Sequence, residues 1–346
     1  MKKNELRLAI LGYGNAGRAY GLMLTEKASE IARLYDTEVK VCAIVTRSKG
    51  TLIDSSGIDL TEAENQLKSI GKFKDGIRAD ALKVAREADY DVLVELTPLD
   101  IFSGRPAIDH IEAALSRGKH VISANKGPIA WAYRPLMEMA DKNGCKFFFE
   151  TTVMDGTPVF NLCAETLKMC KVTEINGILN STTNFILEEL AKGQAYDDVI
   201  EEGKRRGFVE ADPSLDTLGW DAAAKITALM NVLMDADITP NDVRRKGIED
   251  ISSDDIQAAA ARDKVIKLLC KGKVENGNAV ATVEPVELDK NDLLATISGT
   301  SSAVSITTDL MGTVTVVENE PEIEQTAYGI FSDTIRMIEH LIKKHA

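Results

Sequence analysis

With 346 residues, 44% of them apolar, the chain has material for about two domains with filled cores. Its 41 lysines and arginines against 54 aspartates and glutamates leave a net charge of −13, which argues against nucleic-acid binding through bulk charge and requires a local cationic pocket for any phosphorylated ligand. No apolar stretch approaches the ~18 residues of a membrane span, the start MKKNELRLAIL shows no leader-cleavage pattern, and Cys42, Cys145, Cys163, Cys170 and Cys270 are widely spaced without a CxxC, so a cytoplasmic chain with reduced thiols is expected, with no membrane or nucleic-acid partner.

Over residues 1–150, short β-rich runs alternate with helical stretches, the pattern of a doubly wound parallel sheet in an α/β fold. Strands are expected at Leu6–Leu11, Val39–Val45, Asp91–Leu96, His120–Ala124 and Lys146–Thr151. Between the third and fourth, Pro106 suits a first helical turn, Ile108, Ile111 and Leu115 share a face, and Gly118 ends the crossover helix. Beyond residue 150 the character changes to longer helical pieces, a Pro/Asp/Gly-rich stretch at Gly207–Gly219, and short Thr/Val-rich strands from Ala279 to Val317, a second domain of α+β type. The tail Glu322–His345 carries a helical apolar stripe at Ile323, Ala327, Ile330, Ile338 and Leu341, with Lys343, Lys344 and His345 at its carboxyl end. The expected plan is a dinucleotide-binding domain of residues 1–150 completed by helix 322–346, and a substrate-binding and dimerisation domain of residues 151–321.

Three patterns carry chemistry. The first strand runs straight into Gly12-Tyr-Gly14-Asn15-Ala16-Gly17 and a helical run, so the GxGxxG stands in the context that makes it informative. Gly12 permits the tight turn, Gly14 lets backbone approach a pyrophosphate, Gly17 allows close helix packing, and the helix amino terminus attracts the anion. At the end of the second strand, where an NAD site presents an acidic residue to the ribose, the chain reads Thr46-Arg47-Ser48-Lys49; Arg47 and Lys49 suit a 2′-phosphate, so NADP(H) is the expected cofactor, with NAD(H) use left open.

The second pattern lies where ligands bind in open α/β sheets. Thr97 and Ser123-Ala124-Asn125-Lys126 end neighbouring strands at the same carboxyl edge, making Thr97, Ser123 and Lys126 further cofactor contacts. The third is the carboxylate-rich run from Glu210 through Asp212, Asp216 and Asp221 to Lys225. Asp221 and Lys225 share a helix face, and Lys225 falls at the margin of the buried stripe. Such a set fits recognition of a small cation, such as a substrate ammonium, together with a proton donor. The bland alternative is an exposed i,i+4 ion pair.

These motifs, with Ala124-Asn125-Lys126-Gly127-Pro128, Gly177-Ile-Leu-Asn180-Ser-Thr-Thr183-Asn184-Phe and Glu210-Ala-Asp212-Pro, occur in the order and spacing of the homoserine dehydrogenases, which the chain resembles from its first strand through its last helix. The resemblance implies a Rossmann-type domain and NAD(P)H-dependent, reversible reduction of L-aspartate 4-semialdehyde to L-homoserine, in threonine and methionine biosynthesis. By the same carry-over Glu210, Asp216 and Asp221 hold the substrate's polar groups, Lys225 donates the proton, and Lys126 stands between nicotinamide and substrate. It further implies a homodimer, and a monovalent cation such as Na⁺ held by Glu150, Val153, Asp155 and Thr157.

Two departures stand out. The family's glycine-rich turn before the last helix is here Val317-Glu318-Asn319-Glu320-Pro321-Glu322, and no regulatory module is expected after His345. Competing readings are a divergent dehydrogenase of another small amino acid, a non-catalytic dinucleotide sensor, and an aldehyde dehydrogenase forming a thiohemiacetal. The sensor has no use for both Lys126 and Lys225, and the thiohemiacetal needs an activated cysteine, which none of the motif loops contains.

Overall fold

The computed structural model describes residues 4–207 and 209–345, with side chains through residue 343. It divides into two compact units, one of residues 1–128, 132–158 and 322–346, the other of residues 129–131 and 159–321.

The first unit begins with β1 (Asn4–Leu11), α1 (Asn15–Tyr35), β2 (Thr37–Val45) and β3 (Thr51–Ile53), and continues through α2 (Leu60–Ile70), α3 (Ala81–Glu87), β4 (Val92–Glu95), α4 (Ala107–Ser116), β5 (His120–Ser123), α5 (Lys126–Lys142) and β6 (Phe147–Phe148). The sheet order is β3-β2-β1-β4-β5-β6, and every pairing is parallel except β2 with β3. Central strands covered on both faces read as apolar runs, and Leu8–Leu11, Ala43, Ile44 and Val92–Val94 are all fully buried.

Two expectations change here. The chain turns back after Thr46–Gly50 to add the antiparallel β3, a three-residue edge too short to carry a sequence period. The strand expected at Lys146–Thr151 shrinks to Phe147–Phe148, because the chain enters a 3₁₀ turn at Glu150–Thr152 and the Glu150 amide donates to the Asp333 carboxylate at 2.9 Å instead of to a neighbouring strand.

The second unit carries α6 (Phe160–Thr166), β7 (Val172–Ile178), α7 (Ser181–Ala191), α8 (Tyr196–Arg206), α9 (Ser214–Thr217), α10 (Trp220–Met234), β8 (Arg244–Arg245), α11 (Ser253–Ala260), β9 (Lys264–Glu275), β10 (Asn278–Asp289), β11 (Ser302–Thr308) and β12 (Gly312–Glu318). Its sheet order is β12-β11-β7-β9-β10-β8. The strands expected to be short and to begin at Ala279 are in part a hairpin of two 12-residue strands beginning at Lys264. Asn276 and Gly277 make its turn, both at positive φ (51° and 82°), as a two-residue hairpin loop requires. β7, in a stretch read as helical, pairs with both β9 and β11. α7, α10 and α11 pack on the sheet, and α10 is buried at Ala222–Ala224 and Ile226–Met230, wider than a single stripe.

The last helix, α12 (Ile323–His345), returns to the first unit, where Ala327, Ile330, Met337 and Ile338 join the core around Leu8, Ile10 and Ile44. The side chains of Lys344 and His345 lie outside the described residues. Thr334 gives its proton to the Ile330 carbonyl (2.9 Å), so the buried Tyr20 hydroxyl, 2.7 Å away, donates to Thr334 and fastens α12 to α1.

Candidate functional site

At the head of α1 the glycines act as their positions demand. Gly12 has φ +92° and donates to Val45 O at 2.9 Å, and a side chain there would strike the Leu96 carbonyl. Gly17 packs against Gly12 itself, with room for no more than a tight Cβ at 3.0 Å. Gly14, by contrast, is the helix N-cap, makes no side-chain cap and faces open space, while no acidic residue stands in the first turn. Uncapped amides at a helix start, approachable by bulky groups, are what a pyrophosphate requires. Exposed Asn15 and half-buried Ala16 follow. Arg18 is committed elsewhere, gripping buried Glu64 through Nε (2.8 Å) and Nη2 (2.7 Å), a pairing that holds that carboxyl below its usual range.

Beside Gly12 opens a cleft of ≈ 1050 Å³ at the carboxyl edge of the sheet. Its walls include Thr46, Arg47, Arg78, Thr97 and His110. The Thr46 hydroxyl bonds Gly50 O (2.7 Å) and receives the Lys49 amide (2.9 Å), which turns Arg47 and Ser48 outward to the cleft and leaves Lys49 off its wall. Thr51 and Ile77 exchange two backbone hydrogen bonds (2.8 and 3.0 Å) that bring Arg78 to the same cleft. Arg78 is a cation that sequence reading missed, since a lone arginine in a loop carries no local signal. Neither Arg47 nor Arg78 forms an ion pair among the described residues.

On the same edge Glu95, at the end of β4, is fully buried, and its Oε1 accepts the Thr97 amide (2.7 Å) and the Thr97 hydroxyl. Asn125 then spans the neighbouring strand ends, donating to Thr97 O (3.0 Å) and capping α5 by accepting the Gly127 amide (3.0 Å). Buried Ser123 accepts the Asn125 amide at 3.0 Å. Lys126 is thereby fixed as the first residue of α5. A cation at the positive end of a helix costs about 0.3–1 kcal/mol.

In the second unit Asn180, N-cap of α7, organises the carboxylates: its Nδ2 donates to Asp216 Oδ1 (2.7 Å) and Asp221 Oδ2 (2.9 Å). Asp221 in turn lies 3.2 Å from Lys225, whose Nζ donates to Leu179 O at 2.7 Å. Both members of this i,i+4 pair are about one-sixth exposed, at 15% and 17%, which is not the solvated pair of the bland reading. Burial first, and the Asp221 charge second, hold the Asp216 carboxyl above its ordinary range. The structure thus brings Asp216, Asp221 and Lys225 together around Asn180, a residue whose N-cap position before α7 was readable but whose link to the carboxylates was not. Glu210 stands apart on an exposed loop. Cys270, near Lys225, is fully buried and pushed up to about 12 by that burial, the opposite of an activated nucleophile.

Residues 150–157 form a tight bend in the first unit. Glu150 and Val153 are buried, Met154 and Asp155 both adopt positive φ (58° and 47°), and the Thr157 amide closes the turn on Met154 O at 2.9 Å. The Asp155 carboxylate accepts the Thr326 hydroxyl at 2.7 Å, so its side chain is turned to α12 and only its backbone remains for other work.

A glycine turn under an uncapped helix, on a sheet ordered 3-2-1-4-5-6, places the chain in the class of NAD(P)-dependent oxidoreductases. The NAD-binding domain of homoserine dehydrogenase matches residues 12–150, and the homoserine dehydrogenase domain matches residues 158–335. The chain belongs to the homoserine dehydrogenase family. It is 37% identical over 335 residues to homoserine dehydrogenase of Methanocaldococcus jannaschii, with 95% of this chain and 98% of that one aligned. It is 33% identical to the NAD(+)-dependent homoserine dehydrogenase of Pseudomonas canavaninivorans, with 98% of each chain aligned. A hyperthermophilic archaeal homoserine dehydrogenase solved in complex with NADPH superposes with a TM-score of 0.82 at 30% identity, covering 96% of this chain and 97% of that one.

Proposed function

We propose that the chain reduces L-aspartate 4-semialdehyde to L-homoserine with NADPH as the preferred donor, in the cytoplasm and as a homodimer. The observation that carries the chemical assignment is the Asn180-organised cluster, which holds Lys225 against Asp221 with its amine half-buried. When bound, NADPH supplies the hydride to the C4 carbonyl. Lys225 Nζ stabilises and protonates the oxygen on which negative charge develops, and Asp221 keeps that amine oriented. Asp216 and Asp221 grip the substrate ammonium, and Glu210, which stands apart from them on its exposed loop, is carried only by the family resemblance as a contact to the substrate's polar groups. Lys126 orients the reacting groups from the first turn of α5.

Gly12, Gly14, Asn15, Ala16 and Gly17 would cradle the pyrophosphate, with Thr97 and Ser123 at the nicotinamide end. The open face at Gly14 and the uncapped start of α1 fit that load. Preference for NADP(H) rests on Arg47, joined by Arg78 on the wall of the same cleft, while Lys49, expected beside Arg47, lies off that wall; no acidic residue stands at the end of β2 to bind a bare ribose. Cofactor choice differs among the relatives, one of which is NAD(+)-dependent, so it belongs to such local residues. One buried carboxylate and three carbonyls, from Glu150, Val153, Asp155 and Thr157, are the hard oxygen donors a monovalent cation takes. The expected boundary at 150/151 moves to 158/159, with residues 129–131 joining the second unit, and on that division the first unit takes the cofactor and the second the substrate and dimer contacts.

The test is semialdehyde-dependent oxidation of NADPH and NADH in parallel, with and without Na⁺. Turnover with NADPH favoured at least tenfold in kcat/KM is expected. Equal use of both cofactors overturns the assignment of Arg47 and Arg78, and turnover only on another amino-acid aldehyde overturns the substrate.

A further inference from the structure

The Glu95 carboxylate has a second partner that the reaction as described does not use. His110, on the buried face of α4 and only 2% exposed, sets Nδ1 2.7 Å from Glu95 Oε2, and it also lines the cleft beside Thr97. A carboxylate with no solvent contact must have its lone pairs satisfied internally or the burial is severely unfavourable. Oε1 takes both Thr97 donors, so Oε2 needs the hydrogen on His110 Nδ1.

We propose that His110 is a positioning residue for the bound dinucleotide: by donating to Glu95 it holds that carboxylate as the clamp on Thr97. The clamp has a chemical consequence at the cleft. Thr97 gives away its amide proton and its hydroxyl proton to Glu95, and its carbonyl to Asn125, so toward the cleft its hydroxyl oxygen can only accept. That edge recognises a donor, an amide N–H or a ribose hydroxyl at the nicotinamide end. Because Asn125 also caps α5, the setting of Thr97 is shared with the first turn that carries Lys126. Without the His110 donor, Glu95 draws on other protons or water, and Thr97 loses its single orientation.

The inference rests on the cleft being the cofactor site, and the experiment separates the two. NADPH binding is titrated by nicotinamide fluorescence for H110L, H110N, T97V, the H110L/T97V double variant and, as a control on the cleft itself, R47A/R78A; steady-state constants and melting curves accompany each. H110L is expected to weaken NADPH binding and raise its KM about tenfold, with kcat at saturating cofactor within threefold of the parent. H110N, whose amide N–H can take the place of Nδ1–H, is expected to recover most of that loss, which a purely packing role would not predict. T97V alone is expected to weaken binding at least fivefold, and the double variant to be no weaker than the worse single by more than twofold. Parent-like binding in T97V overturns the proposal whatever the fold of H110L, as does parent-like binding in H110L, equal damage from H110N and H110L, or additive effects. Unchanged binding in R47A/R78A together with those results overturns the cleft reading instead.

Discussion

Lys225 is the proton donor of the proposed reaction, and its removal is expected to separate catalysis from binding. Lys225→Ala is expected to reduce kcat by about 10²–10⁴-fold, the usual contribution of a positioned acid–base group, with NADPH affinity within twofold of the parent. Near-normal turnover would end its role. Asp216 offers a pH signature. Its carboxyl is held above the ordinary value of 3.8 by burial and by Asp221, so the folded state retains that proton to higher pH than the unfolded chain. Its linkage term therefore favours the fold below the unfolded value and is lost as pH rises through the folded one. Binding an ammonium needs the ionised form, so kcat/KM for homoserine should fall as pH drops through this raised value. Asp221→Asn removes one of the two causes, and the acid limb of the pH profile is expected to move to lower pH; an unmoved limb assigns it to another group. Reading the chain as a sequence found Asp216, Asp221 and Lys225, because their spacing along α9 and α10 is local. It did not find Asn180, Arg78 or His110 as parts of a site, since each acts through a partner brought near by the fold and by no spacing in the chain.

The same division between local and long-range signals holds for whole elements. β1, β2, β4 and β5 were legible because strands covered on both faces are written as apolar runs, and α12 because its stripe keeps a helical period. β3 and β7 were not, and β6 only in part: β3 has three residues, β6 keeps two of the six expected at Lys146–Thr151, and Val172–Ile178 includes Glu174, Asn176 and Gly177, which break the expected alternation. The turn after β12 is a departure legible in sequence whose physical form the structure supplies. Glu320 takes φ +41°, a left-handed setting that favours glycine, and its amide reaches Ser301 Oγ at 3.2 Å. Glu320→Gly is expected to stabilise the fold by about 1 kcal/mol in denaturant titration, relief of the left-handed strain exceeding the entropy cost of glycine. A loss of stability would mean that the side chain contributes more than the backbone strain costs. At the α1 and α12 contact, Tyr20→Phe removes one buried donor and leaves Thr334 bonded to Ile330, so a loss of about 1 kcal/mol is expected by the same measurement.

For the molecule as a whole, association is expected to be a property of the second unit. β12 is an edge strand, and Leu310, Met311 and Val317 around it are exposed at 71%, 62% and 39%, apolar surface that an isolated sheet edge would ordinarily shield. Light scattering at micromolar concentration should give twice the mass of the chain, and a monomer would contradict the dimer.

The return of α12 to the first unit also dictates an order of events during synthesis. Ribosomes make β1 to β6 first, yet Ala327, Ile330, Met337 and Ile338, which complete the core beneath them, are made only after the whole second unit. Residues 159–321 emerge in between, roughly 10–30 s of elongation at ~5–20 residues per second. During that interval the glycine turn at Gly12 exists as covalent chain with part of its supporting core missing, and the growing polypeptide has nothing firm on which to hold a nucleotide. A nascent chain stalled after Pro321 should therefore be cut readily by protease in β1 to β5 and gain no protection from NADPH, whereas the released chain should gain it. Cofactor loading is therefore expected to wait until α12 has been made, so that the dinucleotide does not serve as a folding template for the unit that binds it.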